Sequence, residues 1–183
     1  MKYILGLCCF VLLQSCFPVA IAPDLSQGAI KKAKKFNKKL PNRFSYIFTD
    51  PKDADEFYTY LNTKYDLQHN YVEDNVPVIL EGNTYYVSFY EVSKSTKTVN
   101  LLRPLANKVL EENGVGPVFN DDPVRIYDDT WYIALLITDE EFNDGLKASY
   151  ANFTTVSEFA SSLRKEYYSM RNYKQAILTV END

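Results

Sequence analysis

A pattern of eleven residues that occurs twice constrains this chain more than any other feature. Pro77-Val78-Ile79-Leu80-Glu81-Gly82-Asn83-Thr84-Tyr85-Tyr86-Val87 is matched, 46 positions later, by Pro123-Val124-Arg125-Ile126-Tyr127-Asp128-Asp129-Thr130-Trp131-Tyr132-Ile133. Pro, Val, Thr and the second Tyr are identical, and Asn/Asp, Tyr/Trp and Val/Ile replace like with like. β-Branched and aromatic residues favour a pleated strand, and each copy carries a polar break: Glu81-Gly82-Asn83 in one, Asp128-Asp129 in the other. Each copy is expected to form two strands around a turn, and the shared register points to an internal duplication.

Helix signals precede both copies. Asp50-Pro51 offers a cap and a proline at the first helical position, with Asp53, Asp55 and Glu56 near the positive end of the dipole. Ala54, Phe57, Tyr58, Leu61 and Tyr65 then share a face. Before the second copy, Pro104 opens a helix carrying Leu105, Val109 and Leu110 that stops at Gly114. A further helix is signalled by Thr155 and Glu158 at capping-box spacing, with Val156, Phe159, Ala160, Leu163 and Tyr167 as its apolar face. Arg43 to Thr49 and Ala176 to Val180 read as outer strands. The expected fold class is α+β: an antiparallel sheet from two tandem αββ units, with helices packed on one face.

Alternation along the strands assigns the faces. Tyr85, Val87 and Phe89 align with Trp131, Ile133 and Leu135, and this set is expected under the helices. The opposite face then presents Tyr86, Tyr90, Tyr132, Leu136 and Arg125, together with Ile79. A sheet face this aromatic is a docking surface for another protein. The competing reading is that a preceding helix or the segment from Asp139 to Phe153 covers it.

That preceding segment is basic. Leu25, Ala29, Ala33, Phe36 and Leu40 recur at helical spacing between Asp24 and Pro41, and Lys31, Lys32, Lys34, Lys35, Lys38 and Lys39 take the other side. The pattern predicts an amphipathic helix over 24–42, lying with its lysines on anionic lipid or docked on the body with its lysines solvated. Eight of the 20 Lys and Arg but one of the 24 Asp and Glu precede Phe44, so the body beyond it is strongly acidic. An acidic body disfavours nucleic acid as a partner.

At the start of the chain, Lys2 and the apolar run Tyr3 to Leu13 form an export signal, since eleven residues at about 1.5 Å each fall short of a bilayer core of about 30 Å. The run closes on Leu13-Gln14-Ser15-Cys16, which resembles the lipobox of bacterial lipoproteins. The alternative is cleavage at Ala20-Ile21-Ala22, which would leave Pro23 first. The resemblance implies a signal peptide over 1–15, lipid attachment at Cys16, a tether over 16–23 and the periplasmic face of the outer membrane, because neither an acidic residue directly after the cysteine nor an acidic cluster slightly further on is present. Cys8 and Cys9 would be lost with the signal, leaving a body (43–183, read as one domain) without an internal disulfide. The anchor together with the strand Thr130-Trp131-Tyr132 is similar to the small SmpA/OmlA lipoproteins that accompany outer-membrane protein assembly. That similarity covers the anchor and one strand, and no residue role carries over from it.

Signs of catalysis are missing from the motifs. The single histidine, His69, sits in a polar run, and no nucleophile elbow, zinc-protease helix or glycine-rich phosphate loop occurs. Asp121-Asp122, Asp128-Asp129 and Asp139-Glu140-Glu141 do not have calcium-loop spacing. The expectation is a non-enzymatic, lipid-anchored accessory or scaffold protein without cofactor or metal that binds another envelope protein. The alternatives are a periplasmic immunity or inhibitor lipoprotein against a toxin, and a glycan-binding lipoprotein.

Overall fold

The computed structural model describes residues 16–52, 55–100 and 124–170, with side chains at 20–52, 55–97 and 128–170. The expected signal peptide, the helix at Pro104, the strand at Ala176 to Val180 and the side chain of Arg125 lie outside these residues. The chain divides into two compact units, one of 1–23 with 94–130, the other of 24–93 with 131–183.

The second unit is α+β, with a five-stranded antiparallel sheet. Its strands are β2 (Ala29–Lys32), β3 (Phe44–Thr49), β4 (Val76–Leu80), the part of β5 (Asn83–Asn100) up to Ser93 and the part of β6 (Val124–Asp139) from Trp131, in the order β4-β5-β6-β3-β2. Register is fixed by pairs such as Tyr46 with Leu135, Ala29 with Ile47 and Val78 with Tyr85. Two helices, α2 (Glu56–Lys64) and α3 (Phe153–Ser169), cover one face. There Phe57, Tyr60 and Leu61 of α2 and Val156, Ala160, Leu163 and Tyr167 of α3 are buried with Tyr46, Phe48, Tyr85, Val87, Phe89, Ile133 and Leu135 of the sheet. The polar ends of these rings find partners: Asn152 Nδ2 donates to the Tyr85 hydroxyl at 2.9 Å, and the Tyr167 hydroxyl donates to Asp50 Oδ1 at 2.8 Å. The α3 C-terminus is held by Lys52, whose Nζ donates to the carbonyls of Tyr167 and Met170, both at 2.6 Å, and lies 4.2 Å from the Tyr167 ring centroid. A cation on the last carbonyls of a helix complements its dipole.

The first copy of the repeat forms the expected hairpin. β4 and β5 close on Leu80 and Asn83, with Glu81 and Gly82 at φ +50° and +80°, the left-handed pair that a two-residue hairpin loop requires. The second copy does not turn: β6 runs through Asp128 and Asp129 without a break. No glycine stands where Gly82 stands, and two adjacent aspartates have less access to positive φ. The α+β class, an antiparallel sheet with helices, is thus present, while the tandem αββ detail is not confirmed, the helix expected at Pro104 lying outside the described residues.

Three other elements differ from expectation. The segment 24–42 is not one helix. Gly28, at φ +72°, closes a turn by donating its N–H to the Leu25 carbonyl at 2.8 Å, after which β2 pairs with β3 and a single helical turn, α1 (Ala33–Phe36), follows. A glycine in the left-handed region interrupts the helix, and a Cβ at this position would collide with the Tyr46 ring, so a substituted residue cannot take its place. The apolar stripe is nevertheless buried at Leu25, Ala33, Phe36 and Leu40, in the unit that also holds residues 43–93. Helix α2 starts at Glu56, with Asp55 at φ +67° as its N-cap residue and no side-chain cap bond, rather than at Asp50-Pro51. Helix α3 starts three residues earlier than its capping-box signal, after Asn152; Thr155 instead donates its hydroxyl to Glu81 Oε2 at 3.3 Å.

In the first unit, β1 (Cys16–Ala20) pairs antiparallel with the distal end of β5, Lys97–Asn100. The first five residues of the expected tether therefore form a strand, because the β5 edge offers backbone partners. The Ala22 N–H is bound by Thr96 Oγ1 at 3.1 Å, and Ser95 Oγ donates to Asp129 Oδ1 at 2.5 Å.

Candidate docking groove

The five sequence-derived docking residues separate into three groups. Tyr86 and Tyr90 are half-buried on the outer face of β5. Tyr132 and Leu136 are buried, against expectation. Arg125 lies outside the described side chains. The burial of Tyr132 has a simple cause: residues 132–137 of β6 are apolar without interruption, and the strand is covered on both faces. Phe36 meets the Tyr132 ring edge-on at 5.0 Å, and Ala33, Ile47 and Ala134 are also buried. The basic segment thus covers this part of the face, the alternative weighed from the sequence. Trp131 departs in the other direction. Expected in the core, it is 51% exposed and borders a small cavity of about 40 Å³ with Asp50, Lys52, Glu91 and Tyr132. Ile79 is exposed as expected.

Where the cover ends, the outer face opens into a groove of about 220 Å³. Tyr86, Ser88 and Tyr90 of β5 form one wall and Leu136 and Thr138 of β6 the floor. Pro41, Arg43 and Phe142 form the opposite wall. Three of the five docking residues, Tyr86, Tyr90 and Leu136, are therefore brought together, and Tyr132 is not among them. Arg43 is aimed by its Nη1, which donates to the Phe142 carbonyl at 2.6 Å, while the neighbouring Phe44 N–H is held by Asp144 Oδ2 at 2.7 Å. Phe142 itself is exposed and stands at φ +61°. Asp74 and Asn75 border the other end, where the Asn75 N–H donates to Ser88 Oγ at 3.0 Å. Burial, with the nearby Asp74 carboxylate adding to it, pushes the Tyr90 hydroxyl above the ordinary tyrosine range, so it stays a neutral donor at physiological pH.

Arg43, Phe142 and Asp74 were not visible as site residues in the sequence. Arg43 reads there as a strand flank and Asp74 as part of a polar loop, and neither carries a periodicity that assigns it to a face. The Asp139-to-Phe153 segment, to which Phe142 belongs, was the one sequence signal pointing toward this wall.

The remaining sequence features lie outside the groove. Of the six lysines on the basic segment, Lys31, Lys34, Lys35, Lys38 and Lys39 are exposed and Lys32 half-buried, an arrangement open to solvent or to anionic headgroups alike. His69 Nδ1 lies 3.2 Å from the Tyr58 hydroxyl, with the two rings stacked, and its backbone N–H donates to Asn62 Oδ1 at 2.7 Å. Burial would raise the Asp139 carboxyl, but hydrogen bonds from Asn143, Tyr150 and the Glu141 N–H outweigh it and hold Asp139 below the ordinary range. Among the described residues no group of three or more His, Cys, Asp or Glu side chains is placed to hold a metal, and no helix is long and apolar enough to cross a membrane. The chain matches no protein-family model, no curated protein and no solved structure.

Proposed function

We propose that this chain is a lipid-anchored protein of the bacterial cell envelope, cleaved before Cys16 and held at the periplasmic face of the outer membrane. There it acts as a non-catalytic accessory that docks another envelope protein. The observation that supports the docking role best is the outer-face groove, where Tyr86 and Tyr90 stay accessible beside Arg43 and the exposed Phe142. Tyrosine, phenylalanine and arginine are the residue types enriched at protein interfaces, and a tyrosine wall gives contact area with little side-chain entropy to lose. Tyr132, once part of the docking set, has no place in this reading because Phe36 covers it.

The test places a photo-reactive amino acid at position 86 in the full chain, expressed in its source cell. Irradiation is expected to join one envelope protein to the groove, while a probe at Tyr132 joins none. Equal yields from both positions would remove the docking role. Mass spectrometry of the same material is expected to find acyl chains on Cys16; an unmodified chain beginning at Pro23 would remove the anchor.

A further inference from the structure

The docking groove continues into a second depression whose chemistry differs, and this difference defines a partner. Strand β4 ends its pairing at Val76 with Val87, and the Phe89 N–H is taken by the Glu73 carbonyl at 3.0 Å. Beyond that point lies a hollow of about 310 Å³, which shares Tyr90 and Asp74 with the first groove. Of the apolar residues that line it, Tyr58 and Tyr90 are half-buried, whereas Leu40, Phe89 and Val92 are buried. The carboxylate residues Asp55, Glu73 and Asp74 line it as well, with Glu91 and Lys39 also at its border. The side chains of Asp55, Glu73 and Asp74 are exposed and take no ion-pair partner among the described residues.

Like charges gathered at one place repel, and a cleft lined by one sign of charge raises the local concentration of groups of the opposite sign. Local capping does not account for the group: Asp55 makes no side-chain cap bond to α2 although it holds the N-cap position. The apolar walls add what a purely acidic surface lacks, namely area that a non-polar side chain can cover. From these we infer that the hollow receives a segment of the docked protein that carries lysine or arginine next to apolar residues. The basic groups meet Asp55, Glu73 and Asp74 while the apolar ones cover the half-buried rings of Tyr58 and Tyr90. This rests on the docking role proposed above and assigns the chemistry of the docked segment. Complementary charge of this kind speeds encounter and selects against acidic partners.

A defined probe tests it. Two dye-labelled peptides of equal length, one alternating Lys and Leu and the other alternating Glu and Leu, are titrated with the purified full chain and followed by fluorescence anisotropy. The Lys-Leu peptide is expected to bind, more weakly as salt is raised, and the Glu-Leu peptide not to bind. The triple change Asp55→Asn, Glu73→Gln, Asp74→Asn is expected to weaken binding by about tenfold, summing three exposed charge contacts. An equal neutralisation elsewhere, Glu140→Gln, Glu141→Gln, Glu158→Gln, is expected to change it less than twofold. Circular dichroism checks that both variants fold. Equal binding of the two peptides, or equal effects of the two triple variants, would overturn the inference. If that happens while the probe at position 86 still captures a partner, docking stands and the basic segment falls; if position 86 captures nothing, both fall.

Discussion

On the inner face of the sheet, the Phe57 ring lies 5.0 Å from those of Phe89 and Tyr167, 5.5 Å from Tyr60 and 5.8 Å from Phe48. On the outer face, Phe36 reaches Tyr132 from a single helical turn, in which Ala33 is buried as well. The two faces are closed by different means. Two helices close the inner face with aromatic and aliphatic side chains, whereas the irregular segment 24–42 closes part of the outer face with Ala33, Phe36 and Leu40. The outer cover is the shorter one. It stops at Leu40-Pro41, and the strand surface beyond it becomes the groove. Core and site are thus consequences of how far each covering element extends.

The sharpest way to break the contrast is to remove one ring from each face. Phe57→Ala deletes a side chain held by four aromatic neighbours in a region that cannot collapse around the void. A loss of about 3–5 kcal/mol is expected in urea denaturation. Phe36→Ala is expected to cost about 2 kcal/mol, because its site lies near the surface and water can enter. It should also expose Tyr132, which acrylamide quenching of tyrosine fluorescence would detect. Equal losses at the two positions would mean that the outer cover is as much a core as the inner one.

How much of this was readable in the sequence depended on whether a signal was local. Helix α3 was legible because its apolar spacing agreed with its burial at Val156, Ala160, Leu163 and Tyr167. The hairpin at Glu81-Gly82 was legible because glycine supplies the required backbone geometry. The same pattern misled at Asp128-Asp129, where sequence likeness was kept but the glycine was not. In the run Tyr132 to Ile137, alternation alone misassigns the faces, because the lack of polar residues marks a strand covered on both sides. The groove was the least legible part, since Arg43, Asp74, Tyr86 and Phe142 come from four separate segments and meet only through the sheet order. Gly82→Ala sharpens the point about the turn. A Cβ there meets no atom within 4 Å, so the expected cost of about 1 kcal/mol is that of the φ +80° backbone alone. A negligible change would mean that strand pairing, rather than the glycine, holds the hairpin.

A smaller effect, visible through pH, tests the margin of the inner face. Asp50 accepts from the Lys52 N–H at 3.1 Å and from the Tyr167 hydroxyl, yet burial dominates and raises its carboxyl above the unfolded value of 3.8. A carboxyl raised on folding contributes stability that is fully present below pH 3.8 and is lost as pH rises through its folded value. Asp50→Asn keeps an oxygen acceptor and removes the titration. Its stability relative to wild type is therefore expected to improve as pH increases from about 3.8 toward neutrality. A difference that is flat with pH, followed by denaturation at several pH values, would show that Lys52 and Tyr167 fully offset the burial.

The smallest stability change belongs to the groove. Tyr86 is only half-buried, with its ring on the open part of the outer face, so Tyr86→Ala is expected to move stability by no more than about 0.5 kcal/mol. Its effect on partner capture runs the other way. Removing a wall ring takes away apolar contact area and leaves the polar groups of Arg43 and Tyr90 without their packed surroundings, and crosslinking through position 90 is expected to fall severalfold. Energetic silence in folding joined to loss in docking separates a surface kept for a partner from one that is merely incompletely covered. If the substitution cost several kcal/mol, as at Phe57, Tyr86 would be core, and the contrast between a closed and an open face would have no functional content.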